Sequence, residues 1–100
     1  MTTMTLSDIL DDLRVAEEGL HKFERRYWIS SAHFYELYSQ GLLDDGENSE
    51  DFAEWAGHYK LRQKRQTALE KISKERIDSL RQENGEIVRL IPAEPVFRLG

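Results

Sequence analysis

Apolar side chains recur every three or four residues along the front of the chain, at Leu6, Leu10, Leu13, Leu20, Phe23 and Tyr27, with Ala16 bridging the gap. That spacing puts them on one face of a helix turned toward a core or a coiled-coil seam. Ser7 is the expected N-cap, Asp8 suits the dipole of the first turn, and no proline interrupts the run to Tyr27. Gly19 costs a mid-helix position about 1 kcal/mol relative to alanine, a cost that a closely approaching neighbour helix would explain.

Trp28-Ile29-Ser30-Ser31 breaks the pattern. Ser30 or Ser31 can cap a short second helix with Phe34, Tyr35, Leu37 and Tyr38 on its apolar side, and Gly41 is placed as the left-handed residue that closes it. After the loop 42–48, Ser49 opens a third helix with acids at 50, 51 and 54 near its positive end. Its stripe runs through Phe52, Trp55, Ala56, Tyr59, then Ala68 or Leu69, Ile72, Ile77 and Leu80, until Asn84-Gly85 stops it.

The predicted helices cover about 7–27, 31–40 and 49–83, within a helical domain spanning 1–85. The third would be ~50 Å long and the first ~30 Å at 1.5 Å per residue, so one hairpin leaves part of the third helix uncovered. Positions 60–67 carry a single apolar residue. Either the helix kinks there, or that stretch is solvated and the part beyond it packs on something else. A second copy of the chain is the expected cover.

Residues 86–100 differ in kind, being rich in β-branched and apolar side chains and holding both prolines, Pro92 and Pro95. Proline forbids helix there and disfavours a central strand, which leaves an extended arm whose 87–91 stretch could add to a sheet edge. The expected fold is therefore all-α: a long helical hairpin with a short intervening helix, packed as a dimeric bundle, plus a C-terminal arm.

Composition changes this picture little. One hundred residues, 39% of them apolar, suit one small domain for which extra burial against a partner would help. No cysteine is present, which excludes disulfides, thiol nucleophiles and cysteine-held metals. The start lacks the basic and apolar regions of a signal peptide, and no stretch approaches the roughly 20 apolar residues of a membrane span. A cytoplasmic location is expected. Charge is more informative: residues 1–54 hold 13 acids against four bases, and residues 55–100 hold six against ten. Oppositely charged halves can steer pairing within the chain or between copies.

Candidate chemistry is sparse. His21, His33 and His58 lack the spacing of three or four that would put two metal ligands on one helix face. Ser30, Ser31 and His33 superficially suggest a nucleophile and base, but a capping serine followed by a helix residue is the better account. The acidic turn 44–48 lacks the ligand alternation and closing glutamate of a calcium loop. Lys60, Arg62, Lys64, Arg65, Lys71, Lys74 and Arg76 could touch phosphates non-specifically, yet Glu70, Glu75 and Asp78 interrupt the field. No catalytic set, metal site or cofactor is expected.

Nine of the ten aromatics lie between residues 23 and 59. They can form a core where three helices meet, with some left at an interface. Core or dimer packing is expected of Leu13, Leu20, Phe23, Tyr27, Phe34, Phe52, Leu69, Ile72 and Leu80.

The middle of the chain resembles a group of small helical antitoxin-like proteins of prokaryotic toxin–antitoxin modules. The likeness rests on Ser30-Ser31-x-x-Phe34-Tyr35, Gly41-x-Leu43 and Asp51-Phe52-x-Glu54-Trp55-Ala56, and it covers residues 8–80. It implies a non-enzymatic, dimeric antitoxin with a cognate protein partner encoded nearby. The residues themselves suit that reading: an over-long helix and an apolar arm would hold a partner, through Trp55, Tyr59, Ile87, Ile91 and Phe97. A homodimeric helical scaffold, or a weak nucleic-acid binder using 60–76, are the alternatives.

Overall fold

A computed structural model describes residues 4–44 and 46–92. It is all-α, with helices α1 (Leu6–Tyr27), α2 (Ser31–Ser39) and α3 (Ser49–Asn84), and no strand among the described residues. The chain divides into two compact units, residues 1–69 and 70–100, so the division falls inside α3.

Each helix starts and stops for a local reason. Thr5, rather than Ser7, caps α1: its hydroxyl accepts from the Asp8 amide while the Asp8 carboxylate accepts from the Thr5 amide, both at 3.1 Å. This reciprocal box satisfies two of the free donors of the first turn, which a cap at Ser7 would leave open. At the other end no glycine is available, and Trp28 itself takes the left-handed conformation (φ 64°, ψ 31°), sending its N–H to the Glu24 carbonyl at 2.8 Å. Ser30 caps α2 through the His33 amide. The helix closes at Gly41, which has φ 71°: the Gly41 N–H bonds Tyr38 O and the Leu42 N–H bonds Leu37 O, the paired pattern of a Schellman ending. A short 3-10 turn at Gly46–Asn48 leads into α3, whose 36 residues run unbroken through 60–67 to left-handed Gly85.

In the first unit, α1 packs along α3 with α2 across their junction. The buried face of α1 is Ile9, Leu13, Ala16, Leu20 and Phe23, spaced by four, three, four and three. This corrects the expected start of the face. Leu6 and Leu10 are exposed, because the 3.6-residue period that aligns Leu13, Leu20 and Phe23 selects Ile9 instead. Phe34 from α2 and Phe52, Trp55 and Ala56 from α3 complete the core, with Tyr27, Tyr35, Leu43 and Tyr59 packed against it. Gly19 lies under the His58 imidazole, so closely that a Cβ on it would come within 2.5 Å of the ring. The close approach that glycine suggested is therefore present, and its neighbour is a histidine. Leu69 is half-buried.

In the second unit Leu80 is buried and Ile77 half-buried, whereas Ile72, expected to pack, is exposed. Residues 86–92 have no regular secondary structure beyond the turn that ends α3, and Arg76 reaches them with a 2.8 Å bond from Nη2 to the Ile91 carbonyl.

Candidate partner-binding surface

The junction of the three helices is organised around Trp55. Its indole stacks on Phe34 with centroids 3.9 Å apart and planes within 1°, and it also stacks on Phe23 and Tyr27 at 5.5 Å. Tyr35 stacks on Tyr59 at 4.8 Å. Trp55 is fully enclosed, which removes it from the partner-binding residues that the sequence suggested. Its position among the small and apolar residues of α3, Phe52, Ala56 and Tyr59, faces α1 and α2 rather than solvent. Tyr59 is half-buried in the same cluster.

A buried indole N–H needs an acceptor, and a line of polar groups supplies one. Trp55 Nε1 donates to Ser31 Oγ at 2.9 Å; Ser31 donates onward to Glu24 Oε2 at 2.7 Å from its hydroxyl and at 3.0 Å from its amide. Glu24 Oε1 meets His21 Nδ1 at 2.9 Å. Burial pushes the Glu24 carboxyl up, but the bonds from His21 and Ser31 together outweigh it and leave the group below its ordinary value. Ser31 is therefore a structural bridge between α1, α2 and α3, with its proton directed to a carboxylate and an indole over its oxygen. Beside it, Asp51 Oδ2 accepts from Tyr27 OH at 2.6 Å and pairs with Arg26 Nε at 3.2 Å. The Asp51 carboxylate and burial raise the Tyr27 pKa, against the opposing pull of Arg26.

Outside this knot the three most exposed large apolar side chains among the described residues lie in two places. One is the turn after α1, where Trp28 is 89% exposed beside half-exposed Ile29, over an open hollow of about 530 Å³ lined by Glu24, Arg25 and Trp28. The other, in the second unit, is the stretch after α3: Ile87 and Leu90 are 78% and 76% exposed, and Ile91 is exposed as well. Ile87 and Ile91 thus stand on the surface, while Phe97 lies outside the described residues.

Trp28 was not among the residues that the sequence put forward for binding. The available signal was the absence of any glycine to close the first helix, together with two large apolar residues in the break before a serine cap.

Four of the seven bases of the basic stretch are engaged within the chain. Arg65 pairs with Asp12 at 2.7 Å, Lys74 with Asp78 at 3.3 Å, Arg76 bonds Ile91, and the Arg62 guanidinium lies 5.4 Å from the Tyr59 ring centroid. Among the described residues Lys60, Lys64 and Lys71 make no ion pair. No cluster of three metal-ligating side chains occurs among the described residues, and no helix there is long and apolar enough to cross a membrane. No protein-family model, curated protein or solved structure matches the chain.

Proposed function

We propose that this protein is a non-enzymatic, antitoxin-like binding module that holds and neutralises a cognate small toxin encoded beside it, in the cytoplasm. The observation that carries this reading is the apolar stretch after α3. Ile87, Leu90 and Ile91 face solvent on a segment whose backbone is not committed to helix or sheet. Such a segment can donate main-chain bonds to a partner's sheet edge while its side chains enter pockets. Four of the seven basic residues of 60–76 are engaged within the chain, which favours protein over nucleic acid as the partner. The resemblance carried by residues 30–56 points the same way.

The test is co-expression with the product of the adjacent gene, followed by light scattering. A heteromeric complex that is lost on Ile87→Asp or Ile91→Asp is the expected result; two proteins that migrate separately would end the reading. A homodimeric scaffold is the second reading, favoured by exposed Leu6 and Leu10 one turn apart on α1. It predicts a dimer that dissociates on Leu10→Glu and ignores the neighbouring gene product.

A further inference from the structure

We propose that Trp28 and Arg25 form a docking point for a protein partner that presents a large apolar side chain beside a carboxylate. Two properties of Trp28 are unfavourable for the isolated chain. It is the only described non-glycine residue with positive φ, and its indole is almost wholly in water. A bulky residue held in the left-handed region costs roughly 1–3 kcal/mol. Glycine in its place would close α1 without strain, as at Gly41. A costly side chain that makes no core contact is placed to contact something else.

The neighbouring charges define what that is. Of the three bases in the last two turns of α1, Lys22 pairs with Glu54 at 3.2 Å and Arg26 with Asp51 at 3.2 Å. Arg25 has no ion pair among the described residues, and it lines the hollow with Trp28. Glu24, which also lines the hollow, makes no ion pair with Arg25: one carboxylate oxygen is taken by His21 and the other by Ser31. The hollow therefore has an apolar wall, an available guanidinium and a carboxylate already turned to the junction. Its complement is an apolar group with an acidic neighbour. Tryptophan and arginine are also the side chains that most often dominate protein–protein contacts. A polyanion is the poorer fit, because one unpaired cation at the hollow, on a chain of net charge −5, gives little counterion release.

The partner is the one invoked in the proposed function, so this inference rests on that reading. The test uses the full chain labelled with 5-fluorotryptophan, whose two resonances are assigned with Trp28→Phe. On titration with the purified neighbouring gene product, the Trp28 resonance is expected to shift and to lose its H2O/D2O isotope effect, while that of Trp55 stays in place. Trp28→Ala and Arg25→Glu should each weaken binding tenfold or more; helical circular dichroism confirms that both variants fold. A complex with Trp28 still solvated and affinity unchanged in both variants would overturn the docking point and leave the proposed function standing. Absence of any complex would remove both. Shielding of Trp28 that follows the protein's own concentration would make the occupant a second copy, and shielding by a single-stranded oligonucleotide would make it nucleic acid; either result overturns the inference.

Discussion

The two tryptophans occupy opposite surroundings at the same end of α1. Trp55 touches three aromatic rings, has its indole N–H satisfied and loses all exposure, whereas Trp28, one residue beyond the helix that contacts it, has strained backbone and an indole in water. A large aromatic side chain stabilises a fold only when both its apolar area and its polar atom are accommodated. Trp55 meets both conditions; Trp28 leaves its apolar area in water. One residue type thus marks the centre of the fold in one case and an outward-directed group in the other.

The widest separation is expected from truncating the two rings. Trp55→Ala should cost about 3–5 kcal/mol in urea unfolding, the range for deleting a core aromatic, and Trp28→Ala should leave stability close to wild type. Equal losses would abolish the contrast. Ser31→Ala comes next: it leaves the buried Trp55 N–H without its acceptor and Glu24 Oε2 with only the residue 31 amide, for roughly 2 kcal/mol, while the apolar stack remains. Gly19→Ala follows with a net loss of about 1 kcal/mol, the steric cost exceeding alanine's better helix propensity. In a His58→Ala background the same change should become stabilising, and a cycle of four thermal melts measures the reversal. Trp28→Gly should raise stability by about 0.5–1 kcal/mol, strain relief being partly offset by the freer unfolded chain.

Acid sharpens the junction side of the comparison. The Glu24 pKa is lowered on folding, so its contribution is complete above the ordinary glutamate value of about 4.3 and is lost as the pH falls through the folded value. The stability gap between wild type and Glu24→Gln should therefore narrow in melts taken from pH 6 down to pH 3. Trp28→Ala should behave as wild type over the same range.

Much of the helical frame was legible because it follows from periodicity and end signals. Phe23, Phe34 and Phe52 read as core from their spacing, and Gly41 and Gly85 read as helix ends because left-handed backbone favours glycine. The errors share a cause. At the start of α1 two registers compete, Leu6 and Leu10 against Ile9, and a reciprocal cap two residues before Ser7 decides where the helix begins without any apolar signal. Trp55 read as a possible contact residue because aromatic abundance alone does not distinguish a core from an interface. What lets it be enclosed is the polar line from Ser31 to Glu24 that satisfies its N–H, and the sequence reads Ser31 only as a possible cap. Trp28 was illegible for the converse reason: backbone conformation, not composition, sets it apart.

The imidazole of His58 lying on Gly19 acts as a register key for the two long helices of the first unit. Sliding α1 by one turn in either direction would bring Val15 or Phe23 to the place where only a bare backbone fits. The notch thus excludes shifted hairpins that the leucine stripe alone would tolerate, and it limits which substitutions at either position can be accepted singly. A larger residue at 19 is better accommodated with a smaller one at 58, so substitutions at the two positions should be coupled.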